Sequence, residues 1–251
     1  TTVGGSGLVA PFSFTGGAYP GTGGDCLTIL APGPSCNIEV SYIPPVIAAN
    51  NDIIEIQYND GVSTQTSTRN LQGNAVAPAN LTITDGPIYD YGIIAIGGGS
   101  STKIFSITNT GAVTATGVAE IGLVAPFDFA GGGGYPGAGG DCPLNIPAGL
   151  TCLVEIDYNP LLLGLHTDTI NFSYNDGVNP QNLLRNIQGT GVSPAQLDFA
   201  GPDPYDFGVT PENGTRSNLF TMTNTGGVTA TGIGVVSLAG PFAYTGRGIF
   251  L

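Results

Sequence analysis

The sequence predicts an all-β protein made of tandem, two-sheet antiparallel sandwiches that repeat about every 116 residues. Three observations carry this expectation. Apolar and polar residues alternate in short runs, as Cys36, Ile38, Val40 and Tyr42 do against Asn37, Glu39 and Ser41, and a period of two marks a half-buried strand. Turn signals rich in Gly, Pro, Asn and Asp separate these runs, and no helical period is sustained. The same landmarks also recur at a fixed distance: Cys26 as Cys142, and Tyr58-Asn59-Asp60-Gly61 as Tyr174-Asn175-Asp176-Gly177, each 116 positions on.

The repeat sets the order of the elements. Arg69-Asn70-Leu71-Gln72-Gly73 recurs as Arg185-Asn186-Ile187-Gln188-Gly189, and Pro78-Ala79-Asn80-Leu81 as Pro194-Ala195-Gln196-Leu197. Phe105 through Gly111 recurs as Phe220 through Gly226, now 115 positions on, and Ala10-Pro11-Phe12 is echoed by Ala125-Pro126-Phe127 and Gly240-Pro241-Phe242. Small-residue linkers before Pro78 and Pro194 make residues 78–193 one whole unit. Residues 1–77 match the later two-thirds of a unit, and residues 194–251 the opening half of another. Within the whole unit, strands are expected near 80–84, 88–92, 102–109, 116–123, 126–130, 151–158, 168–174 and 183–190. Asn175-Asp176-Gly177 is read as a hairpin turn, since these residues tolerate positive φ. Ile170, Phe172 and Tyr174 then share one face, and Thr169, Asn171 and Ser173 the other. Strands this short, at this spacing, suit a two-sheet antiparallel sandwich.

The stretch Tyr-Pro-Gly-Xaa-Gly-Gly-Asp-Cys, followed by nine residues and a second Cys, occurs at Tyr19–Cys36 and Tyr135–Cys152. Two equally spaced pairs predict two local disulfides, Cys26–Cys36 and Cys142–Cys152, which implies an oxidising compartment. The spacing, with one His in the chain, does not fit a zinc site. Glycine in these loops is read as allowing close backbone approach. A phosphate cradle would open a helix and carry a Lys.

The repeat resembles the bacterial choice-of-anchor D repeat, itself similar to the abnormal-spindle/hydin (ASH) family of immunoglobulin-like domains. The residues that carry this are Tyr89-Asp90-Tyr91-Gly92, Phe105 through Gly111, Ala125-Pro126-Phe127, the Gly-rich stretch through Cys152, Tyr174-Asn175-Asp176-Gly177 and Gln188-Gly189-Thr190-Gly191. The resemblance implies tandem immunoglobulin-like sandwiches in extracellular, multi-repeat surface proteins with no common enzymatic activity. Arg247-Gly248-Ile249-Phe250-Leu251 departs from the Tyr-Pro-Gly pattern expected at that place.

Composition narrows the function classes. Five Lys and Arg stand against 18 Asp and Glu, a net charge of −13. Such a surface repels phosphate backbones, which argues against nucleic acid and anionic lipid as partners. No run of 18 apolar residues is present, so no membrane insertion by a helix is expected. His166 lies beside no second His or Cys, no nucleophile elbow precedes a helix, and the first repeat has Asn50 in its place. These features argue against an enzyme. No cofactor is implied. Asp90, Asp141 and Asp206 (with Asp176 and Asp203) sit in oxygen-rich turns and form a candidate structural calcium set; the alternative is that they cap turns. Asn80, Asn171 and Asn213 stand in glycosylation sequons.

Two functional expectations follow. One is an adhesin or carbohydrate-binding module, with Tyr19 and Tyr135 exposed in the Gly-rich loops as contacts to surface glycans. The other is an extracellular fibre, stalk or filament. Residues 194–251 hold only the opening strands of a sandwich, and Leu197, Phe199, Phe207, Phe220 and Met222 need a facing sheet. Residues 1–77 of another copy, with Leu8 and Phe12 at the joint, have the complementary strands. Such strand complementation is head-to-tail and non-closing, so the partner would be another copy and the product a filament; the alternative is that these residues are a window from one longer, covalently continuous repeat array.

Overall fold

A computed structural model describes residues 4–234 and 238–245. Arg247–Leu251, singled out above, lies outside the described residues. The described residues up to Pro78, with Gly111–Val113, form one compact unit; Ala79–Thr110 and the described residues from Thr114 onward form a second.

In the first unit, β1 (Gly4–Ser6), β4 (Ala49–Asn59) and β5 (Thr64–Asn74) make a three-stranded sheet, and β2 (Phe12–Phe14) pairs with β3 (Val40–Tyr42). The β4–β5 hairpin turns at Asp60, whose Oδ1 accepts from the backbone N–H groups of Val62 and Ser63. Such an Asx turn closes a hairpin at low conformational cost.

The second unit holds the complete sandwich. Its elements are β6 (Leu81–Ile83), β7 (Ile88–Ala95), β8 (Ser101–Asn109), β9 (Thr116–Glu120), β10 (Phe127–Phe129), β11 (Thr151–Tyr158), β12 (Gly164–Asn175) and β13 (Pro180–Val192). Each strand expected from the sequence is present. One sheet runs β10-β11-β8-β6 and the other β7-β13-β12-β9. One pairing departs from the antiparallel expectation: β7 runs parallel to β13. The chain places β6 in one sheet and β7 in the other, and β7 meets the edge of the β12–β13 hairpin in the same direction as β13.

Between the sheets, alternation becomes burial. Cys152, Val154, Ile156 and Tyr158 of β11 face Ile170, Phe172 and Tyr174 of β12, with Phe105, Ile107, Phe127 and Ile187 completing the core. Each fully buried side chain of this size contributes roughly 1.5–3 kcal/mol. Asn109 is the fully buried polar residue at the end of β8; its Nδ2 donates to the Ile146 carbonyl, and its Oδ1 accepts from Asn80 N–H.

The second unit continues into β14 (Leu197–Phe199) and β15 (Met222–Asn224), an antiparallel pair. Leu197 faces Asn224 and Phe199 faces Met222, the register in which Leu81 faces Asn109 and Ile83 faces Ile107. The repeat therefore holds in backbone pairing as well as in sequence.

Candidate functional site

Both disulfides form as expected, Cys26 with Cys36 and Cys142 with Cys152. Cys26, Cys142 and Cys152 are buried. Cys36 is half-exposed, and the strand expected from Cys36 to Tyr42 is present only at Val40–Tyr42. The pairing differs: in the second unit β11 is held along its length by β8, with Cys152 facing Ile107 and Val154 facing Phe105, whereas among the described residues β3 pairs with β2.

The Gly-rich loop is clamped at its base. Asp141 Oδ1 accepts from Leu153 N–H, and Glu155 Oε2 accepts from Gly139 N–H. Asp25 and Glu39 repeat both bonds, to Asn37 N–H and Gly23 N–H. A side chain on Gly140 would collide with backbone, its Cβ falling against the Pro136 carbonyl. Close backbone approach accounts for that glycine.

The tyrosines expected at the loop surface turn inward. Tyr135 lies edge-on to Phe129 and Phe172 and donates its hydroxyl to the Pro143 carbonyl; burial pushes its pKa up to about 12. Tyr19 meets Phe14 edge-on, and burial also raises its pKa. Their rings fasten the loops to the sandwich.

Of the candidate calcium residues, Asp90, Asp206 and Asp176 each cap a turn, and Asp141 clamps the Gly-rich loop. Asp90 Oδ1 accepts from Gly92 N–H and its Oδ2 from Gln188, Asp206 accepts from Gly208 N–H, and Asp176 accepts from Val178, Asn179 and Gln181. Among the described residues, no three His, Cys, Asp or Glu side chains converge as a metal site would require. His166, at the start of β12, is half-buried and shares a hydrogen bond with the Tyr158 hydroxyl at 2.8 Å. Tyr42 makes the equivalent bond to Asn50 Oδ1, so this contact belongs to the architecture of the repeat.

The residues expected at a subunit joint are exposed where their counterparts in the complete sandwich are buried. Phe105 and Ile107 are fully buried at 0% exposure, while their counterparts Phe220 and Met222 are 43% and 39% exposed. Leu197 and Phe199 are exposed, and Phe207 half-exposed. Where β8 runs nine residues, β15 runs three. In the first unit Tyr58 is 38% exposed where Tyr174 is 7%. Of the two expected N-terminal joint residues, Phe12 is buried within its own unit and Leu8 is half-exposed.

An aromatic chain, not anticipated from the sequence, runs through this site. In the second unit Tyr89 meets Tyr91 and Phe105, Tyr91 meets Phe127, and Phe127 stacks on Tyr158. Tyr205, Phe207, Phe220 and Phe242 rebuild its first part contact for contact. Phe12 and Tyr42 rebuild its last contact, with ring centroids 4.8 Å apart. The equal spacing of these aromatics in the repeat was the available signal.

No family model matches the sequence, and no curated protein matches it. Among solved structures, the VesB protease of Vibrio cholerae is similar at a TM-score of 0.35 and 16% identity, over 45% of this chain and 32% of that one. The ASH/PapD-like domain 7 of human CEP192 is similar at a TM-score of 0.34 and 12% identity, over 47% of this chain and 88% of the domain. A protein of unknown function from Porphyromonas gingivalis W83 is similar at a TM-score of 0.32 and 13% identity, over 75% and 84%. This chain thus spans about a third of the protease. At these TM-scores none of the likenesses carries the function of the other protein to this chain.

Proposed function

We propose that this is an extracellular structural repeat protein that forms a fibre, stalk or filament of end-to-end immunoglobulin-like units. The observation that carries the proposal is a repeat kept in backbone pairing as well as in sequence: β14 and β15 keep the register of β6 and β8, and β2 and β3 keep the register of β10 and β11. Like units stacked one after another build an extended body.

Two disulfides and low charge suit an oxidising, extracellular setting. A glycan-binding surface is the weaker reading, because Tyr19 and Tyr135 are spent on packing. Electron microscopy of the purified chain tests the proposal. Unbranched filaments lengthening with concentration are the expected result; isolated particles at every concentration would overturn it.

A further inference from the structure

We infer that the turn after β15, residues 224–228, is the surface by which one unit grips the linker from the unit before it, so that consecutive units are joined by a backbone clasp and not by a loose tether. This rests on the reading of the chain as end-to-end units and adds the contact by which they meet.

The linker Ser193-Pro194-Ala195-Gln196 leads from β13 into β14. The turn holds it at two places. Thr225 N–H donates to the Gln196 carbonyl at 2.8 Å, and Gly227 N–H donates to the Ser193 carbonyl at 3.0 Å. Asn224 shapes the turn that aims these donors. Its Oδ1 accepts from Gln196 N–H and Gly226 N–H, and its Nδ2 donates to the Val228 carbonyl. Pro194 fixes φ at the centre of the gripped segment.

Glycine is what lets the two backbones meet. A Cβ on Gly226 would fall on the Pro194 carbonyl and lie 2.6 Å from Ala195 Cα. The φ of Gly226 lies outside the left-handed region, so close approach, and not turn geometry, requires glycine there.

The same bonds recur one repeat earlier. Thr110 N–H donates to the Asn80 carbonyl at 2.8 Å, and Ala112 N–H donates to the Ala77 carbonyl at 3.2 Å. Ala77 and Gly111–Val113 both belong to the first compact unit, and Gly111 stands where Gly226 stands. Asn80 N–H is again held by an asparagine, Asn109. A contact repeated at both linkers belongs to the repeat itself. It is built from backbone groups and one uncharged amide side chain, so salt does not screen it. In stacked repeats, stability passes between nearest neighbours through contacts of this kind.

Amide hydrogen exchange on the whole chain, read residue by residue, tests this. The Gly227 and Ala112 amides should exchange at least about tenfold slower than in an unstructured chain, at low and at high salt alike. Gly226→Ala should speed exchange at Gly227 by roughly tenfold. Ala112 and the β12–β13 hairpin should keep their protection in that variant, which separates a released clasp from global unfolding. Either amide exchanging at the unstructured rate in the unaltered chain would overturn the clasp, as would Gly227 protection that survives Gly226→Ala. Filaments seen by electron microscopy beside freely exchanging amides would overturn the clasp alone; isolated particles beside protected amides would overturn the fibre alone.

Discussion

The Tyr158 ring occupies the space in which a side chain on Gly189 would stand: a Cβ there would lie 2.5 Å from ring carbon Cε1. Tyr42 and Gly73 repeat the arrangement, with a Cβ on Gly73 2.5 Å from Cζ. Each ring crosses from one sheet to the other, and glycine is the residue that leaves room for it. Overpacking of this kind costs about 1–3 kcal/mol. Gly189→Ala should therefore lower the denaturant midpoint by that equivalent, and an unchanged midpoint would contradict the packing described.

The disulfides should govern local stability. Cys142 and Cys152 are ten residues apart, and closing a loop of about this size contributes roughly 3 kcal/mol on the chain-entropy view. Reduction should speed hydrogen exchange in residues 130–160 before the β12–β13 hairpin is affected. Uniform exchange across the sandwich after reduction would contradict this.

Asp176 gives a test by pH. The backbone N–H groups of Asn179 and Val178 hold its carboxyl below the usual range, with Gln181 adding to the effect. Because the folded pKa lies below the unfolded one, the stability it adds is fully present above the ordinary Asp value of about 3.9. That stability is lost as pH falls through the lowered folded value. Asp176→Asn should be less stable at neutral pH and should lose stability less steeply below about pH 4. Parallel stability curves for the two proteins would contradict the assignment.

The complete sandwich was legible in the sequence because its strands alternate cleanly and recur. Cys152 through Tyr158 and Ile170 through Tyr174 show their buried face directly. The parallel pairing of β7 with β13 was not legible, since Ile88–Ala95 carries no mark of strand direction. The loop tyrosines were misplaced because an aromatic among glycines resembles an exposed contact; the inward turn depends on Phe129 and Phe172, distant in sequence. The full strand expected at Cys36–Tyr42 shrinks to three residues because pairing, and not pattern alone, makes a strand. That Phe12, Phe127 and Phe242 correspond to one position of the repeat could be read from the sequence; their ring partners Tyr42, Tyr91 and Phe207 required the structure.

Phe220 should be the residue on which association depends most. Its counterpart Phe105 is fully buried between the sheets, whereas Phe220 is exposed. Phe220→Asp should weaken association by more than about tenfold, as for the loss of a buried aromatic anchor. The thermal transition of the central sandwich should stay in place. Unchanged association would remove Phe220 from the proposed contact between units.

Sedimentation velocity of the 25.3 kDa chain over a wide concentration range is the most direct test of head-to-tail association. The account predicts a series of species at successive multiples of the subunit mass, shifting to longer members as concentration rises. A single species at the subunit mass throughout, unchanged by Phe220→Asp, would contradict it.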